Sequence, residues 1–105
     1  MFILYMVEIF VYGSLLEKSI QNTVLGREVP QKEDTLHDFI KTDHSVFLIY
    51  PTIKEHTGGS VNGRVLKVGD DDINTLDRYE SNLYKKIKVT LASGTEALTY
   101  IENKD

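Results

Sequence analysis

The sequence predicts an α+β domain, mostly β and curled, and three observations carry that class. About six segments show the β-branched and aromatic enrichment of strands, two show the period of short helices, and neither a βαβ rhythm nor an internal repeat connects them. With 105 residues the chain fits a prior of one domain, residues 1–105. Hydrophobic residues at 41% and charged residues at 27% are ordinary globular usage, which argues against a disordered tail and against a membrane protein. Cysteine is absent, so disulfides, thiolate catalysis and Cys-type zinc sites are excluded together.

The segment VEIFVY, Val7 to Tyr12, reads as a strand halted by Gly13-Ser14, and its apolar end IFVY implies burial on both faces. Leu16, Ile20 and Val24 recur at four-residue spacing with polar Glu17, Lys18, Gln21 and Asn22 between them, a short amphipathic helix stopped by Gly26. Arg27 to Asp34, polar and carrying Pro30, reads as a loop. Thr35 to Lys41 is a weak strand, and Val46 to Tyr50 is an apolar strand closed by Pro51. Lys54 to Gly59 reads as a flexible turn, followed by a strand from Ser60 to Val68 in which Gly63 marks a bulge or a close approach. Gly69 to Asp72 offers N-caps for an acidic helix through Ile73, Leu76 and Tyr79. Ile87, Val89 and Leu91 alternate with polar residues, and Ser93-Gly94-Thr95 turns that strand into Ala97 to Ile101. Glu102 to Asp105 is expected to fray.

Twelve Lys and Arg against 16 Asp and Glu give a formal charge of -4, the wrong sign for a nucleic-acid partner held by phosphate neutralisation. The apolar start, Met1 to Tyr12, is interrupted by Glu8, lacks a basic n-region and is shorter than the roughly 20 apolar residues of a membrane span. No membrane association and a cytoplasmic location are the expectations. Met6 is an alternative start, and Phe2 to Tyr5 would form an apolar patch unless packed on the domain or a partner; oligomeric state is not legible.

HExxH, GxxxxGK and GxGxxG are all absent. His37, His44 and His56 lie seven and twelve residues apart in different segments, so they read as surface or structural histidines and no metal is expected. Two candidates remain. Tyr12-Gly13-Ser14-Leu15 forms a strand-to-helix junction whose glycine lets the backbone approach a ligand, with N–H groups suited to a carboxylate or an oxyanion. Taken alone, it is equally an ordinary turn capped by Ser14. Glu80, in LDRYESNLY, ends an acidic helix between Tyr79 and Tyr84; a carboxylate partly desolvated by aromatic rings is a better base near neutrality. The plainer reading is a solvated acidic helix beside the basic Lys85, Lys86 and Lys88.

Read together, these signals resemble the gamma-glutamylcyclotransferase-like family. The resemblance runs through FVYGSLL (Phe10 to Leu16), YPTI (Tyr50 to Ile53), VNGRVLKV (Val61 to Val68), LDRYESNLY (Leu76 to Tyr84) and KVTLASGTEALTYI (Lys88 to Ile101) in order. It implies a small mixed β-barrel of about six strands flanked by short helices, with a cavity beside the first strand-helix loop. It also implies release of 5-oxoproline from a small gamma-glutamyl amine or peptide, without metal or organic cofactor. By position, Tyr12, Gly13, Ser14 and Leu15 match the family's substrate-binding loop and Glu80 its catalytic glutamate, while Tyr84 and Tyr100 match cavity-lining tyrosines. Two departures stand out: Ser81 follows Glu80 where the family often has Gly, and Lys86 stands where it often has Arg, whose bidentate pairing Lys does not reproduce. The alternative is a non-catalytic ligand-binding or regulatory module that keeps fold and pocket.

Overall fold

The computed structural model describes residues 6–46 and 50–104. β1 (Met6–Val11) leads through a single 3-10 turn at Ser14–Leu16 into α1 (Lys18–Leu25). Two long strands, β2 (Gln31–Val46) and β3 (Tyr50–Gly69), precede α2 (Asp70–Glu80). A second 3-10 turn (Ser81–Leu83) then gives way to β4 (Tyr84–Thr90) and β5 (Glu96–Glu102). The strands form one mixed sheet in the order β2-β3-β1-β5-β4. All neighbours are antiparallel except β1 and β5, which run parallel through Ile9 opposite Leu98 and Phe10 opposite Thr99.

The architecture is therefore α+β, a curled five-stranded half-barrel carrying two helices. Among the described residues five strands stand where about six were expected, because Lys54 to Gly59 is not a turn. Strand β3 continues through it as a wide bulge, in which four residues, 56–59, stand opposite the single residue Asp38 of β2. The bulge is held by the Gly58 N–H, which donates to the Asp38 carboxylate at 3.0 Å. The loop expected over Arg27 to Asp34 is likewise shorter, since β2 already pairs at Gln31 opposite Leu66. Glu102, the last residue of β5, and Asn103 are tied down where fraying was expected: the Glu102 N–H donates to Thr52 Oγ1 at 2.8 Å and the Asn103 N–H to the Leu83 carbonyl at 2.8 Å. Phe47, Leu48 and Ile49 of the predicted apolar strand, and the segment Phe2 to Tyr5, lie outside the described residues. Among the described residues, no helix is long and apolar enough to cross a membrane.

Strand β1 separates two apolar clusters, as alternation along a strand requires. Ile9 and Val11 face a cluster with Leu15, Leu25, Leu66 and Leu76, the side covered by the helices. Phe10 and, just past the strand, Tyr12 face the concave interior with Leu36, Val61, Val65 and Val89. Full burial of each such side chain is worth about 1.5–3 kcal/mol, so the central strand fixes both layers. Gly63 is where interior and sheet meet most closely: a Cβ there would stand 2.3 Å from the Val11 carbonyl oxygen and 2.8 Å from the Phe10 ring. Pairing runs without interruption through Gly63, so the position is a close approach and not a bulge.

The curl is drawn toward closure by polar contacts between β2 and the β4–β5 turn. The Ala92 N–H donates to the Thr35 carbonyl at 2.8 Å, and Ser93 Oγ donates to the Asp34 carboxylate at 2.6 Å. Burial alone would raise the Asp34 pKa, but the hydrogen bonds from Ser93 and Thr35 hold it below the ordinary carboxylate value.

Candidate active site

The junction after β1 is built by its neighbours on both sides. Gly13 passes close to Pro51, where a Cβ would meet the ring at 3.2 Å, so the loop has room for glycine and little more. The Leu16 N–H closes the 3-10 turn onto the Gly13 carbonyl at 3.0 Å. The N–H groups of Gly13, Ser14 and Leu15 have no backbone acceptor among the described residues, as the first donors of a helical turn do not. Gln21 pins the loop from below. It is fully buried and its Nε2 donates to the Leu15 carbonyl at 2.8 Å. Its place among polar positions of α1 gave no sign of this; the signal would have been that Gln21 falls on the same helical face as Val24 and Leu25. Lys41 Nζ reaches in from β2 to the Tyr12 carbonyl at 2.8 Å.

Tyr12, Gly13, Ser14, Leu15, Glu80, Tyr84 and Tyr100 all line one cavity of about 50 Å³. The seven site residues expected from the sequence are thus brought to one place, from the junction after β1, α2, β4 and β5. Pro51, at the start of β3, is a wall that sequence reasoning read only as a strand terminator. Tyr79 does not join them: it is 43% exposed, with its hydroxyl 2.8 Å from Ser14 Oγ. The aromatic surroundings of Glu80 are therefore Tyr12, Tyr84 and Tyr100 and not the residue preceding it, because an α-helix turns successive side chains about 100° apart.

The electrostatics follow from burial. Removal from water raises the Glu80 pKa from 4.5 to about 7, and no hydrogen bond or ion pair to its carboxylate is found among the described residues. The same desolvation holds the Tyr12 and Tyr100 phenols protonated well above their usual range, with the Glu80 charge adding to the effect. Tyr12 donates its hydroxyl to the Tyr100 carbonyl, and Tyr84 donates to the Pro51 carbonyl at 2.9 Å. The phenols thus brace the walls to one another. Among the described residues no group of three or more His, Asp or Glu side chains is arranged to hold a metal ion.

A half-barrel with a glycine loop at the end of its central strand, and one half-buried carboxylate lining the same cavity, defines the class of fold and site to which the chain belongs. The match to known proteins narrows the class. The family model for gamma-glutamyl cyclotransferase, AIG2-like, covers residues 9–105, and the chain belongs to that family. AIG2-like protein C of Arabidopsis thaliana is 37% identical over 108 residues, spanning 93% of this chain and 60% of that protein. Protein AIG2 C of the same plant is 34% identical over 82 residues, 77% of this chain and 49% of its own length. The chain therefore spans about half to three-fifths of the curated relatives it matches. Among solved structures, a solution structure of an Arabidopsis thaliana protein aligns with a TM-score of 0.83 and 29% identity over 93% of this chain and 62% of that one. A gamma-glutamyl cyclotransferase shares the fold with a TM-score of 0.72 and 21% identity, over 94% of this chain and 68% of that one.

Proposed function

We propose that this chain is a cyclotransferase that releases 5-oxoproline from a small gamma-glutamyl amine or peptide, a lyase-type reaction needing neither metal nor organic cofactor. The observation that carries the reading is the Glu80 carboxylate, half-buried and without a hydrogen bond or ion pair among the described residues, in a cavity walled by the Tyr12 to Leu15 loop. A gamma-glutamyl group brings its own nucleophile, the α-amine, and well-oriented intramolecular attack supplies roughly 7–11 kcal/mol of the barrier. Glu80 takes a proton from the α-ammonium, and the freed amine forms a bond to the γ-carbonyl carbon, closing a five-membered ring. Glu80 passes that proton to the departing nitrogen as its bond to the γ-carbon breaks, then relays the second proton of the ring nitrogen to the same nitrogen, leaving 5-oxoproline and the amine as its ammonium. The N–H groups of Gly13 to Leu15, without a backbone acceptor among the described residues, hold the α-carboxylate or the oxyanion, and Tyr84 and Tyr100 fold the substrate against the loop. The setting is the cytoplasm, and the partner is a small molecule rather than a nucleic acid or a membrane.

Incubation with a panel of gamma-glutamyl amines and dipeptides, with detection of 5-oxoproline, tests the reading. Product is expected from at least one substrate and is expected to disappear in Glu80→Gln, whose circular dichroism stays that of the parent. A melting temperature raised by glutamate or 5-oxoproline, with nothing consumed, would instead assign a binding module.

A further inference from the structure

Asp77 stands one turn before Glu80 on α2, and residues three apart on a helix share a face with their Cβ atoms about 5–6 Å apart. Both its oxygens are engaged: Oδ1 accepts from the Tyr100 hydroxyl at 2.7 Å, and Oδ2 accepts from Lys86 Nζ at 3.0 Å. Tyr100 shares the cavity with Glu80, and a phenol has one hydrogen to give. That hydrogen goes to Asp77. The hydroxyls of Tyr12 and Tyr84 are donated to carbonyls. The three phenols that line the cavity with Glu80, Tyr12, Tyr84 and Tyr100, thus each give a hydrogen to another acceptor.

We propose that Asp77 is a positioning residue: anchored by Lys86, it draws the Tyr100 hydroxyl hydrogen onto itself and so leaves the Glu80 carboxylate without a hydrogen-bond donor. The consequence is chemical. A donor stabilises the ionised carboxylate and weakens it as a base, whereas burial alone strengthens it. The charged and titratable groups around the pair are Tyr12 from β1, Tyr84, Lys85 and Lys86 from β4, Tyr100 from β5, and Arg78 and Tyr79 on α2 itself. Of these, Lys86 is the cation in contact with Asp77, and none forms an ion pair with Glu80 among the described residues. The arrangement gives Lys86 a role: where the resemblance leads one to expect Arg, a single ammonium suffices, because only one carboxylate oxygen remains to be held.

The test is a titration of the Glu80 carboxyl carbon by NMR, on protein labelled with carbon-13 at glutamate and assigned with Glu80→Gln. Because it is read without substrate, it succeeds or fails independently of the 5-oxoproline assay, although the catalytic meaning of the device rests on the cyclotransferase reading. In Asp77→Ala the Tyr100 hydroxyl is released, and the Glu80 midpoint is expected to fall by about one pH unit. Asp77→Asn keeps an acceptor oxygen and is expected to stay near the parent. Asp77→Ala combined with Tyr100→Phe has no hydroxyl to donate and is expected to return to the parent value. An unchanged midpoint in Asp77→Ala, an equal fall in Asp77→Asn, or a double variant that stays low would each overturn the proposal, the last two by assigning the fall to charge or to Lys86. Tyr100→Phe alone serves if Asp77→Ala does not fold. Its Glu80 midpoint is expected to match the parent, and a rise would show that Tyr100 already donates to Glu80.

Discussion

Ser81 carries backbone strain directly after the candidate acid. Its φ of 60° and ψ of -165° place it in a region populated essentially by glycine, at a cost on the order of 1–3 kcal/mol. The departure from the family pattern noted in the sequence is thus a conformational one, and it falls directly after Glu80. Ser81→Gly is expected to relieve the strain and, after the greater entropy of an unfolded glycine, to stabilise the protein by about 1 kcal/mol, raising its melting temperature by roughly 4–8 °C. Ser81→Ala, which keeps the Cβ, is the control and is expected to gain nothing in a thermal melt. On the proposed cyclotransferase reading Glu80 works in its ionised form, so kcat/KM is expected to rise with pH through about 7. The stability effect has the opposite direction. A carboxyl whose folded pKa is raised from 4.5 to about 7 contributes fully below its unfolded value, and that contribution is lost as pH climbs through 7. Glu80→Gln is therefore expected to melt higher than the parent by a margin that widens between pH 5 and pH 8, measured by calorimetry. At this scale the sequence was informative for Glu80 and silent for Asp77. Both are acids on one helix, and only the placement of Tyr100, from a strand 23 residues away, separates them.

Among the elements, α2 shows how a short acidic helix is held. Asp72 accepts the Gly69 N–H at 2.8 Å, satisfying an orphan donor of the first turn, and takes two hydrogen bonds from Arg27 at 3.0 and 2.6 Å. Those Arg27 bonds hold its carboxyl below the ordinary value, so the stabilisation is present above that range and lost as acid protonates it. Asp72→Ala is expected to cost about 1 kcal/mol at neutral pH and little at pH 2, read from urea denaturation at both. The helices were legible because period, caps and stops agree with the packing: α1 ends at Gly26, in left-handed conformation with φ 78°, as the sequence suggested. The long β2–β3 ladder was not legible in the same way. Gly58 and Gly59 carry a turn signature, and only the Asp38 carboxylate across the ladder makes that stretch a bulge instead.

For the whole molecule, the decisive contact is the one between Gly63 and β1. Gly63→Ala drives a methyl into the Val11 carbonyl and the Phe10 ring, forcing β3 and β1 apart and disturbing both apolar clusters at once. A loss of about 3 kcal/mol is expected, in a single unfolding transition followed alike by far-UV circular dichroism and tyrosine fluorescence. Gly63 was visible in the sequence as a bulge or a close approach, and the curled, barrel-like α+β class was expected too, but the order of strands was not legible, because it leaves no trace in local pattern. The parallel pairing of β1 with β5 illustrates this. It joins Phe10 to Thr99 across nearly the whole described chain, and the Tyr12 hydroxyl reaches the Tyr100 carbonyl at the same seam. The cavity sits on that seam, so it comes into being only after the largest loop in the fold has closed, the slowest kind of contact to form. A molecule lodged there touches both sides of the join and binds nothing in the open chain. At a hundred times its dissociation constant such a ligand would add about 2.7 kcal/mol to the stability of the protein, making occupancy a clasp for the entire sheet.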